Sequence, residues 1–279
     1  MDILVSTDWL AGELGAPDLR VIDASYFVLD AARDAQAEYD AGHIPGAIFM
    51  NLAELKDNNN PVKFMLPPAE KFASRMQALG VGDGNRIVLY DNTPHLTAAR
   101  AWWMFKTYGA HDVAILDGGL AKWIAEGRPL DAEKPSLRHR HFTAWADKTM
   151  VRTLDQVKAN LGTGAEQVLD ARGAARFTGE EVDPSGLASG HIPGSKNLPY
   201  NTVLEADGTW KRGDALKATF EAAGIDLAKP VIATCGSGVT AAVLVFGMAL
   251  LGKSDVALYD GSWSEWGADP NTPKATGTA

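Results

Sequence analysis

The chain has 279 residues, 46% of them hydrophobic and 22% charged. That composition excludes a disordered or fibrous protein, and the length suffices for one large or two ordinary domains with cores of their own. A formal net charge of −9 argues against the clustered cationic surface that nucleic-acid binding by counterion release requires. One cysteine excludes an internal disulfide framework and leaves no second thiol for a metal cluster or a resolving partner.

In chain order, the opening MDILVSTDWL lacks the basic stretch and apolar run of a secretory signal. A cytoplasmic location is the expectation. The apolar run Val21-Ile22, inside VIDAS, reads as a buried strand, and a second strand is expected over Ile87 to Tyr90, ending beside Asp91. Between them lies AGHIPGA from Ala41. A helix packed on a sheet is expected over Ala98 to Tyr108, followed by LDGGLAKW from Leu116. The irregular stretch from Pro129 to Met150 has the composition of a linker, and its basic run Arg138-His139-Arg140-His141 reads as a solvated segment.

Beyond the linker the same blocks return in the same order. VIDAS is answered by VLDAR from Val168, AGHIPGA by SGHIPGS from Ser189, and LDGGLAKW by LYDGSWSEW from Leu258. Asp23 and Asp170 are 147 residues apart, His43 and His191 148, Asp117 and Asp260 143. Such a repeat predicts two domains on one plan: residues 1–130, a linker at 131–150, and residues 151–279. Strands at Val168-Leu169 and Val231 to Ala233, with a helix over Thr240 to Leu251, complete the second copy. Alternating strands and helices predict an α/β fold. Each domain should hold a mainly parallel sheet flanked by helices, with ligands outside the carboxyl ends of the strands. The longest apolar stretch, Ala241 to Leu251, is too short to span a bilayer.

Cys235 stands where that rule puts a site. In VIATCGSGVTAAVLVFGM it follows a buried strand and opens a tight loop into a helix. Gly236 and Gly238 permit a backbone whose N–H groups converge on one point, and the helix adds the positive end of its dipole. Both favour a negative sulfur, as a thiolate or as the terminal atom of a persulfide. Ser237 and Thr240 offer hydroxyls to the sulfur or to substrate. The competing reading is a cysteine that merely fills the end of a strand. A cysteine phosphatase would need an arginine at the far end of the loop, where this chain has Ala241. The repeat sets Asp91 opposite Cys235, so the nucleophile position is duplicated in place and not in chemistry.

These motifs together resemble the two-domain rhodanese family: YDAGHIPGA from Tyr39, WWMF from Trp102, LDGGLAKW, DARGAARF from Asp170, GHIPG from Gly190, ATCGSGVTA from Ala233 and YDGSWSEW from Tyr259. The resemblance covers nearly the whole chain and is greatest to the 3-mercaptopyruvate sulfurtransferase branch. It implies two rhodanese-like domains with the site at their interface and catalysis by the second alone, the first being a silent copy. It also implies a transferase that carries sulfur as a persulfide on Cys235, without metal or organic cofactor. The acceptor would be cyanide, thioredoxin or a low-molecular-weight thiol, with no nucleic-acid or membrane partner. A monomer is expected, since the fused halves already supply the interface.

The thiosulfate branch carries basic residues inside the active loop, whereas the loop Cys235-Gly236-Ser237-Gly238-Val239-Thr240 has none. That favours 3-mercaptopyruvate as donor over thiosulfate; a non-catalytic binding module is the reading from another class. The resemblance implies catalytic roles for Cys235, Ser237, His43 and Asp34, and substrate contacts from Arg176, Gly236, Gly238, Val239 and Thr240. Against a catalytic His43, GHIPG recurs at His191, and a turn-stabilising role explains both copies. Arg176 matches an arginine that grips the donor; its alternative is a surface ion pair with Glu180 or Glu181. A second arginine of the mercaptopyruvate branch is replaced by Ser185, which leaves Arg172 or the first domain to supply another contact. Trp102, Trp103, Trp123, Trp263 and Trp266 are expected to pack, without a chemical role.

Overall fold

The computed structural model describes residues 1–28, 30 and 32–278. The chain forms two compact units, one built from residues 1–57, 66–147 and 206–209, the other from 58–65, 148–205 and 210–279.

In the first unit the chain runs β1 (Leu4–Val5), α1 (Thr7–Glu13), β2 (Leu19–Asp23), α2 (Ala35–Ala41), β3 (Ile48–Phe49), α3 (Ala69–Ala78), β4 (Arg86–Tyr90), α4 (Thr97–Thr107), β5 (Val113–Leu116) and α5 (Gly119–Ala125). The second repeats the series as β6 (Val151–Arg152), α6 (Leu154–Thr163), β7 (Gln167–Asp170), α7 (Ala174–Thr178), β8 (Lys196–Asn197), α8 (Gly213–Ala222), β9 (Val231–Thr234), α9 (Ala241–Leu250), β10 (Val256–Tyr259) and α10 (Ser262–Trp266). The sheets have the orders β1-β5-β4-β2-β3 and β6-β10-β9-β7-β8. All their pairings are parallel; Asp23 lies beside Tyr90 and Asp170 beside Thr234. The expected strands and helices are present with ends shifted by a residue or two, as fraying termini are.

The central strands β5, β9 and β10 are buried along their whole length, because helices cover both faces. In the first unit one face packs Leu10, Tyr39, Ile44 and Trp123 on the strands. On the other, Phe72 stacks on Tyr108 and meets Phe105 and Phe142 edge-on. The second unit packs Val157, Ile192, Trp263 and Trp266 on one face, and Trp210 against Phe246 of α9 on the other. Gly247 is needed there: a Cβ would sit 3.2 Å from the Phe220 ring.

All five tryptophans of the motif blocks are buried, and four donate their indole N–H to backbone carbonyls: Trp102 to Val113, Trp123 to Pro129, Trp263 to Ala188 and Trp266 to Pro273. Their role is core packing, with the one polar atom satisfied. Residues 131–147 form no helix or long strand and run along the first unit, where Thr143 donates to Asp83 and the Trp145 N–H to Tyr108 O. Among the described residues no helix is long and apolar enough to cross a membrane.

Candidate active site

Cys235 follows the last residue of β9 at the carboxyl end of the sheet and is 2% exposed. The β10–α10 corner holds its backbone at three points. The Cys235 N–H donates to Ser262 Oγ (3.2 Å), and Cys235 O accepts from Trp263 N (3.0 Å). The next carbonyl, of Gly236, accepts from both the N–H and the hydroxyl of Ser264, at 2.8 and 2.7 Å. Ser262 sits at φ +48°, a conformation that favours glycine. Its counterpart in the first unit is Gly119, also at positive φ, and there Leu120 N donates to Asp91 O at 3.0 Å. The corner is thus built alike in both copies, and in the second the extra hydroxyl of Ser262 reaches the Cys235 N–H.

From Cys235 the loop turns through Gly238 at φ +77° into α9, whose first turn follows Thr240 without a side-chain cap. Ser237 and Thr240 are half-buried, Gly238 and Val239 buried. In the first unit an anion already fills the corresponding position. The Asp91 carboxylate accepts from Thr93 N (3.1 Å) and from Ala98 N in the first turn of α4 (2.6 Å). Burial pushes its pKa up to about 6 against those hydrogen bonds. The two loops differ in path, Leu96 having φ +52° where Thr240 has −75°.

Arg176, on α7, lies against the loop: its guanidinium nitrogens are 3.6 and 3.8 Å from the point a Gly236 Cβ would occupy. One of them donates to Asp183 Oδ2 at 2.7 Å, and the other carboxylate oxygen accepts the Ser185 N–H. The ion-pair partner is therefore Asp183, not Glu180 or Glu181. Arg176 Nε is buried without a hydrogen-bond partner among the described residues, a donor left over beside the nucleophile loop. Arg172 is not a second such donor. Its guanidinium forks onto Asp170 (2.6–3.1 Å), gives its remaining reach to Gly190 O, and lies 4.5 Å over the Trp263 ring.

The residues expected from the first domain have other surroundings. His43 has no exposed surface, stacks on Tyr39 at 3.9 Å, and places Nδ1 2.7 Å from Tyr39 O; Nε2 is buried without a partner. His191 repeats this on Phe177, with a 3.8 Å stack and Nδ1 2.8 Å from Phe177 O. The backbone of each pairs with a later segment of its own unit, His43 with Asp131 and His191 with Ala275. Asp34 is exposed at the N-cap of α2, where its carboxylate accepts from Gln36 N and Ala37 N at 3.0 and 3.1 Å.

Ser262, Ser264 and Asp183 are the residues that the sequence reading did not select. A signal existed for the first, in the replacement of the second glycine of LDGG by serine in YDGS. Asp183 had only its place in an Asp-Pro-Ser-Gly turn.

A family model for the rhodanese-like domain matches residues 6–126 and again 153–269. The chain belongs to the rhodanese family. Rhodaneses of both expected branches resemble it to a similar degree. It is 44% identical to the thiosulfate sulfurtransferase of Gallus gallus over 94% of the chain and 92% of that protein. It is 41% identical to the 3-mercaptopyruvate sulfurtransferase of Homo sapiens over 94% and 91%. The crystal structure of SseA from Escherichia coli, described with the 3-mercaptopyruvate sulfotransferases, superposes with a TM-score of 0.87 at 38% identity, covering 94% of this chain and 99% of that one. The resemblance is therefore not to the mercaptopyruvate branch alone. The chain is a catalytic rhodanese-type sulfurtransferase of two tandem domains, which transfers sulfur through a cysteine intermediate.

Proposed function

We propose that the sulfur is carried as a persulfide on Cys235, in the second domain (residues 151–279), and that the donor is 3-mercaptopyruvate. The Cys235 thiolate attacks the donor's sulfur and forms the S–S bond. The C–S bond breaks, and its electron pair leaves as the enolate of pyruvate, which takes a proton to become pyruvate. An acceptor thiolate or cyanide then attacks the outer sulfur and regenerates the thiolate. Each half-reaction conserves electrons, so no redox cofactor or metal enters. The Thr93 N–H that the Asp91 carboxylate accepts in the first domain supports a like role for the matching Ser237 N–H toward the negative sulfur; the Ala242 N–H is taken by Val239 O.

The observation that carries the donor assignment is the neutral loop. With no Lys or Arg from Cys235 to Thr240, the cation beside the loop is Arg176, which is already ion-paired with Asp183. That suits a single carboxylate better than the doubly charged thiosulfate. Arg176 Nε then donates to the donor's carboxylate, and Gly236, Gly238, Val239 and Thr240 shape the loop around it. The Ser237 hydroxyl, two residues from Cys235, gives the leaving enolate its proton and regains one from solvent. For His43 and Asp34 we propose structural roles, which their hydrogen bonds already occupy. A cytoplasmic setting suits a thiol that must stay reduced between turnovers, with thioredoxin or a low-molecular-weight thiol as acceptor. Steady-state kcat/KM with 3-mercaptopyruvate and with thiosulfate, against one common acceptor, tests the donor: preference for mercaptopyruvate is expected, and preference for thiosulfate overturns it.

A further inference from the structure

The basic run of residues 138–141 reads from sequence as a solvated stretch. In the fold it is drawn into a cluster. Residues 135–140 and the turn after α3 enclose a cavity of about 220 Å³, lined by the side of β2 and β3 and by Arg20, Arg138 and Arg140. No carboxylate lines it, in a chain that carries 35 acidic residues against 26 Lys and Arg. Its neighbour Asp18 is engaged by Arg86, at 2.7 and 3.0 Å. Among the described residues none of the three arginines forms an ion pair.

Arg20 is held in place before any ligand arrives. Its Nε donates to Gly80 O at 2.9 Å and its Nη1 to Pro17 O and Leu19 O at 3.1 and 2.6 Å. Those three bonds fix the plane of the guanidinium at the cavity wall and leave Nη2 to donate, so little side-chain freedom remains to be lost on binding. Arg138 and Arg140 are brought to the same cavity by close backbone packing. A Cβ on Gly80 would lie 3.0 Å from Arg138 O, and one on Gly82 would lie 2.9 Å from Arg140 Cβ. Burial first, and then the repulsion of Arg140, lowers the pKa of Arg20. The nearby Asp18 carboxylate acts the other way, more weakly, so the two guanidinium groups stand together with their charge only partly offset.

We propose that this cavity in the silent domain is a binding site for a small, doubly charged tetrahedral oxyanion. A guanidinium cluster recognises such an ion by N–H donors and by charge, and the cavity has ample room for it. The ion's source is either phosphate or a sulfur oxyanion. The site is separate from the sulfur-transfer chemistry and does not depend on the donor assignment.

The test is calorimetric titration of the full chain at low ionic strength with inorganic phosphate and, separately, with thiosulfate on the Cys235→Ser protein, which cannot turn it over. One saturable equivalent is expected, weakened at least about tenfold by the double substitution Arg138→Gln, Arg140→Gln and by added salt. Those two side chains are exposed, so the double variant keeps its fold. Tighter phosphate binding assigns the site to phosphate, and tighter thiosulfate binding to a sulfur oxyanion. No saturable binding of either ion, or binding unchanged in the double variant, overturns the proposal.

Discussion

Asp91 and Cys235 stand at the same point of the same strand–loop–helix unit, each just past the last residue of a central strand. In one copy the position is filled by a carboxylate that accepts two backbone N–H groups. In the other it is filled by a buried sulfur whose backbone is tied to Ser262, Trp263 and Ser264. The repeat has thus kept the strand, the loop and the helix in both halves, with a hydrogen-bonded carboxylate at this point in one and a buried thiol in the other.

The Asp91 carboxylate should titrate near 6, well above the ordinary 3.8, because burial outweighs its hydrogen bonds. With the folded value raised, its contribution to stability is full below about pH 4 and is lost as pH rises through 6. Its ionisation costs on the order of 3 kcal/mol. A carboxyl carbon NMR titration, assigned by loss of the signal in Asp91→Asn, checks the value; a midpoint near 4 contradicts it.

Ser262→Gly removes the hydroxyl that accepts the Cys235 N–H and leaves a backbone glycine adopts readily at φ +48°. Stability should change by less than about 1 kcal/mol, while kcat/KM falls by about tenfold as the nucleophile's anchor loosens. Denaturant melts and steady-state kinetics on the same preparation separate the two effects. Undiminished kcat/KM would show that the anchor is dispensable.

Arg176→Lys should not substitute for Arg176, since a single ammonium cannot both reach Asp183 and leave a donor at the Nε position. A loss of about tenfold to a hundredfold in kcat/KM is expected, mostly in KM. Asp183→Asn should raise KM with kcat retained, because the guanidinium loses its charged anchor. Kinetics that separate kcat from KM decide both.

His43→Ala and His191→Ala should behave as a pair. Each removes a buried ring that stacks on an aromatic neighbour and bonds a carbonyl, at a cost of about 2–4 kcal/mol. The folded fraction should keep its kcat/KM within about twofold for either variant. A hundredfold loss confined to His43→Ala would instead give that ring the catalytic role implied by the family resemblance.

Much of the fold was legible because the chain is written twice, and a motif read in one half could be checked in the other. The loop from Cys235 to Thr240 was legible for a local reason: strand, glycines and helix are contiguous in sequence. Partners that arrive from elsewhere were not. Arg176 chooses Asp183 over Glu180 and Glu181 because the chain after α7 turns back at Asp-Pro-Ser and buries that one carboxylate, which side-chain spacing along a helix does not anticipate. Arg172 was legible as a cation but not as one already spent on Asp170. Asp34 was read as chemistry where the helix start beside it offers the simpler account, two orphan N–H groups that need an acceptor.

The central claim is that Cys235 carries the sulfur, and intact mass spectrometry after incubation with 3-mercaptopyruvate and removal of the donor tests it most directly. The wild-type chain should gain the mass of one sulfur atom, cyanide should remove it, and Cys235→Ser should gain none. A wild-type chain that turns over donor without ever gaining the atom, or a Cys235→Ser chain that gains it, would contradict the account.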